Sequence, residues 1–195
     1  MPNISPNPLI YEGTLDGSAR NVINNSFEQQ LVSNTTVVQN TNPTSATNMM
    51  TAAIQANTLS RVGQTLQVFA AGLVNLTTTT SAATFAVKLG TVTLASFLTG
   101  NFAVGAINLS WNLSILATVV SVDSAGGVIL ECHGTVGASL TTLAGAITSY
   151  NDSNVAVLSS VPAAGPLTLA CTGFLAAGNA ASFINQRQLI VDLLN

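Results

Sequence analysis

His133 is the one histidine of the chain, and it stands two residues after Glu131 in the run GVILECHGTVG. Alternate residues of a strand share a face. Glu131, His133 and Thr135 would then point one way, and Val128, Leu130, Cys132 and Val136 the other. An imidazole beside a carboxylate is the minimum equipment for proton transfer. The same pair is far more common as a hydrogen-bonded surface or interface contact, which is the reading favoured here. A single histidine without neighbouring thiolates cannot build a zinc site. Cys132 and Cys171 lie far apart and fit no metal-binding spacing. They read as two small buried apolar residues, with a disulfide as the alternative.

The remaining candidates are sparse. The seven carboxylates (Glu12, Asp16, Glu28, Asp123, Glu131, Asp152 and Asp192) are scattered along the sequence, without a calcium-loop spacing. No nucleophile elbow, phosphate-binding loop or dinucleotide fingerprint is present. Sugar binding would call for exposed aromatic platforms. Trp111 falls on the apolar side of its strand and reads as a core anchor, while Tyr150, beside an expected turn at Asn151–Asp152, is the better candidate for exposure. The expectation is a non-enzymatic protein with no catalytic residue, no cofactor and no metal.

Composition narrows the partners. Charged residues are 6% of the 195, with four Lys and Arg against seven Asp and Glu, where about 25% is ordinary for a soluble domain. Without a basic patch to neutralise phosphates, nucleic-acid binding is excluded. No apolar run is long enough for a membrane helix, and one Trp with two Tyr cannot furnish the aromatic girdles of an outer-membrane barrel. The start of the chain lacks the basic and apolar regions of a signal peptide. Polarity comes instead from 24 Thr, 19 Asn and 18 Ser. A hydroxyl and amide surface tolerates close neighbours, which suits a part packed into an assembly.

Two regions follow from the pattern. Residues 1–47 hold four of the six prolines amid Asn-rich runs, with apolar residues lacking any period. This segment reads as an extended arm, and Ile4, Leu9, Ile10, Tyr11 and Phe27 as its candidate anchors on neighbouring subunits; a flexible tail is the alternative. From 48 to 195 the sequence breaks into short alternating runs. The clearest is 107–121, where Ile107, Leu109, Trp111, Leu113, Ile115, Ala117 and Val119 share a face and Leu116 is the exception on the other. Similar runs fall at 65–76, 84–89, 91–98, 128–136, 139–149, 154–161, 166–173 and 182–194. Gly90, Gly100, Gly126–Gly127 and Asn151–Asp152 punctuate them. Only 46–57 is ambiguous between helix and strand. The expected fold is all-β, a jelly-roll-like β-sandwich of about eight strands behind the N-terminal arm.

Several runs carry a resemblance. NTLSRVGQTLQVFAAGLVNLT, ATFAVKLGTVTLASF with its turn at Gly90, NLSWNLSILATVVSVDSAGGVILECHGTV, and the closing NAASFINQRQLIVDLLN follow the order found in jelly-roll structural proteins of tailed phages. The resemblance spans about 48–195, rests on pattern and order, and transfers no catalytic residue. It implies a virion component on the capsid surface, most simply a decoration (cement) protein bound to the major capsid protein and assembled as a homotrimer, without nucleic-acid or membrane contact. A tail-fibre or head-fibre tip, a jelly-roll coat protein and a carbohydrate-binding module are the other readings.

Overall fold

The computed structural model describes residues 29–77, 80–105, 107–139 and 149–194, with only the backbone course over 149–160. Eleven strands make up this part: β1 (Gln29–Asn34), β2 (Val38–Thr41), β3 (Thr47–Ile54), β4 (Thr65–Asn75), β5 (Ser81–Leu89), β6 (Val92–Phe102), β7 (Leu109–Val122), β8 (Val128–Ser139), β9 (Ser149–Val161), β10 (Leu167–Leu175) and β11 (Phe183–Leu194). The larger sheet runs β1-β11-β4-β7-β8-β9, with β2 also on β11, and the smaller runs β3-β10-β5-β6. Every pairing is antiparallel.

The pairings nest. The opening strands β1 and β2 lie on the last, β11; β3 lies on β10; β4 on β7; and β5 on β6. That is the wrapping of a jelly roll, with the β8–β9 hairpin added to the free edge of β7. The all-β sandwich expected from alternation is what forms. Its extra strands come from this hairpin and from 29–41, where weakly patterned sequence is held by backbone pairing to β11.

Alternation fails at definite places, each with a local cause. The ambiguous stretch around 46–57 is strand β3, whose Met50, Ala52 and Ile54 are buried while Thr51 and Ala53 are exposed. Gly100 is not a turn; it lies inside β6, where Ala83 faces a bulge at Thr99–Gly100. The Thr99 hydroxyl there accepts the Ala83 N–H at 3.0 Å. Asn151–Asp152 is not a turn either, for it sits within β9 opposite Gly137 and Val136. Most of the run expected at 139–149 falls outside the described residues. Ile107 leaves the ladder, because the chain enters β7 through Asn108 at φ 55° and Ile107 is 57% exposed. The turn at Gly90 is as expected: Leu89 pairs with Val92, and Gly90 takes φ 60°, a left-handed value costly for other residues. Asp123 closes the β7–β8 turn, its carboxylate accepting the N–H groups of Ala125 and Gly127 at 2.8 Å.

The core lies between the sheets. Trp111 of β7 stacks on Phe85 of β5, ring centroids 4.3 Å apart, as its place on the apolar face predicts. Its indole N–H donates to the Asn185 carbonyl at 3.0 Å. Asn185 thereby turns its carbonyl to the indole, and its side-chain Oδ1 accepts the Leu73 N–H instead, at 2.9 Å. Gly72 makes this exchange possible, since a Cβ there would stand 1.9 Å from the Asn185 carbonyl oxygen. Gln186 ties the sheets together: its side-chain oxygen accepts the Met50 N–H and its amide donates to the Gln188 carbonyl, both at 3.0 Å. Buried polar groups are tolerated where they are paired in this way.

Candidate functional site

Glu131 and His133 do meet on the outer face of β8, with Nε2 to Oε1 3.1 Å and side chains 41% and 47% exposed. They stand opposite Thr118 and Leu116 of β7 on an open strand surface, and neither lines either cavity described below. A proton-transfer site would require a concave, water-restricting setting, so the pair reads as a surface contact. Cys132 and Cys171 are free and buried. Burial pushes the Cys132 thiol up to about 11, with the Glu131 charge adding to it, and the Cys171 thiol up to about 12 against a hydrogen bond from Gln186. Both are neutral thiols at ordinary pH, the opposite of a reactive cysteine. Among the described residues no cluster of three His, Cys, Asp or Glu could hold a metal ion. The candidate assembly anchors Ile4, Leu9, Ile10, Tyr11 and Phe27 lie outside the described residues, and of Tyr150 only the backbone, paired with Ala138, is described.

The feature that stands out is a groove of about 680 Å³ across the outer face of the larger sheet. Register explains it. Outward-facing residues line up in rows at right angles to the strands, and one row reads Gln188, Ala71, Asn112, Gly137 across β11, β4, β7 and β8. Small side chains at Ala71 and Gly137 make that row the floor. One wall is the next row, in which Phe69 of β4 is half-buried and faces outward. The other wall carries Ser110 and Ser139, their hydroxyls 3.3 Å apart. At the β11 end the ladder bulges between Gln186 and Gln188, which puts the exposed Arg187 at the mouth.

None of these residues was singled out from sequence as a site. Phe69 was findable: in TLQVFAAGLVNL it has the parity opposite to Leu66, Val68 and Ala70, which marks it as outward. The row itself depends on inter-strand register, which one strand's pattern does not contain.

Two further surfaces complete the picture. A polar cavity of about 400 Å³ lies beside β1 and the 55–64 loop. That loop is closed on itself, with the Gln64 side chain accepting the N–H groups of Ser60 and Arg61 at 2.8 and 2.9 Å. Toward the β7–β8 turn, Leu116, Val120 and Ile129 are exposed and make the outer face apolar there.

No family model and no curated protein matches the chain. Among solved structures it is similar to one described as the CBM2 module of Lactobacillus casei BL23 phage J-1 evolved Dit, at 8% identity and a TM-score of 0.35, over 85% of this chain and 95% of that one. A likeness this remote carries no argument about function. What the fold and site define by themselves is a jelly-roll sandwich with an open groove on one sheet.

Proposed function

We propose that the chain is a non-enzymatic structural component of a virion, a decoration protein on the surface of a phage head. The observation that carries this reading is the outer face of the larger sheet: among the described residues its few charges, Glu131, Asp192 and Arg187, are of both signs and set among hydroxyl and amide side chains, and the face turns apolar at Leu116, Val120 and Ile129. Many copies of such a face can crowd on a lattice without the self-repulsion that charged surfaces bring. Weak contacts repeated across a lattice, with an N-terminal arm reaching a neighbour, gain strength by avidity. A closed homotrimer is the expected unit, burying the apolar end between copies, and the major capsid protein is the expected partner.

The test is copy number relative to the major capsid protein in purified particles. Hundreds of copies near a simple ratio to capsid subunits support decoration. A few to a few dozen replace it with a fibre or tail-tip role, which shares the fold. Absence from any particle overturns the virion reading.

A further inference from the structure

The groove has a chemistry of its own, which does not depend on where the protein resides. Its floor offers one amide, Asn112, between two small residues, and Gln188 adds a second amide at the β11 end. Ser110 and Ser139 add hydroxyls along one wall, and Arg187 adds a planar fork of donors at the mouth. The opposite wall presents the Phe69 ring. Neighbouring strands lie about 4.8 Å apart, so crossing from β11 to β8 gives a trough roughly 15 Å long. Among the described residues no carboxylate lines it.

We propose that this groove binds a short oligosaccharide. Each feature matches a property of sugars. Amide and guanidinium groups make the paired hydrogen bonds that vicinal hydroxyls require, because each engages them through two adjacent atoms, and the serine hydroxyls add single bonds that donate or accept. An aromatic ring on one wall covers the apolar C–H face of a pyranose, removing it from water. A trough open at the side accepts an internal stretch of a chain, whereas an enclosed pocket would select a single small molecule. An extended peptide is the competing occupant of a sheet surface, and it gains its affinity by adding a strand to an exposed edge. Here β4, β7 and β8, which carry most of the floor, are each hydrogen-bonded on both sides, so the body of the trough offers no free backbone edge.

The experiment is a binding screen of the full-length protein on an array of short neutral and acidic oligosaccharides, followed by calorimetry with the best of them. Three variants accompany it: Phe69→Ala removes the platform, Asn112→Ala removes the central amide, and Ala71→Trp fills the floor. All three side chains face outward, and circular dichroism confirms that each variant keeps its β-sheet signal. The expected result is selective binding of one glycan class, weakened at least tenfold by Phe69→Ala and by Asn112→Ala and lost in Ala71→Trp. Binding to no glycan, or binding that folded variants leave intact, overturns the assignment; so does a groove that captures an extended peptide and ignores every sugar. The outcome is separable from the virion reading, since copy number in particles does not enter it.

Discussion

The two faces of strand β7 answer to different demands. Inward, Leu109, Trp111, Leu113, Ile115, Ala117 and Val119 are all buried against the smaller sheet. Outward, Ser110, Asn112, Ser114, Leu116 and Thr118 are exposed or half-buried, and the bonds they make run sideways along the sheet, Ser110 to Ser139 and Thr118 to Thr65. Every inward choice is explained by packing, so nothing about function can be read from it. The outward choices are unconstrained by the core and are where function leaves its mark. Small Ala71 and Gly137 beside Asn112 leave a groove on this face, and Leu116 leaves an aliphatic side chain in water where a hydroxyl would serve.

The sharpest way to break this division is at Trp111. Trp111→Ala deletes the ring stacked on Phe85 and the hydrogen bond to Asn185, and should cost about 3–5 kcal/mol, as large buried aromatics do. Thermal melting followed by circular dichroism checks it. A variant that melted with the native protein would mean that the inward face is not the core, and the comparison would fail at its base.

Gly72→Ala probes the same junction with one methyl group. The added carbon would meet the Asn185 carbonyl at 1.9 Å and the Trp111 indole nitrogen at 2.8 Å. Backbone cannot yield there as a flexible side chain would, so the β4–β11 ladder must spread. The expected loss is about 1–3 kcal/mol, the usual range for an overpacked core, read from a denaturant midpoint. Because Gly72 underlies the groove, the variant should also loosen any ligand bound above it. Unchanged stability would show that the Asn185–Trp111 hydrogen bond is dispensable and that the local dislocation has another cause.

How far the sequence could carry this comparison depends on the range of the signal. Period-two alternation is a property of one strand, so the inward faces of β4, β7 and β8, the burial of Trp111 and Cys132, and the class of fold were all legible. So was the nearness of Glu131 and His133, which needs only two positions on one strand. Residues 29–41 were not legible as strands, because their order comes from pairing with β11, more than a hundred residues away. Gly100 and Asn151–Asp152 carry turn-forming residue types into strands, since propensity yields to pairing and to a bulge. The groove was hidden for a further reason: it is a row across four strands, and it exists only once their registers are fixed.

The smallest effect should come from His133, and that smallness is informative. The imidazole and the Glu131 carboxylate are both close to half exposed, and solvent-exposed ion pairs contribute about 0.2–1 kcal/mol or nothing measurable. His133→Ala should therefore leave the melting temperature within about 0.5 kcal/mol equivalent of the native protein, and a scan from pH 5 to 8 should leave the mass seen in light scattering unchanged. Leu116 lies directly across the ladder from His133, at the start of the apolar end of the face. If removing the imidazole or changing the pH altered that mass, the pair would lie inside a subunit contact, and the interface proposed at Leu116 would extend toward Thr135. The groove beyond would then sit at the margin of that contact, and its ligand would be shared between copies.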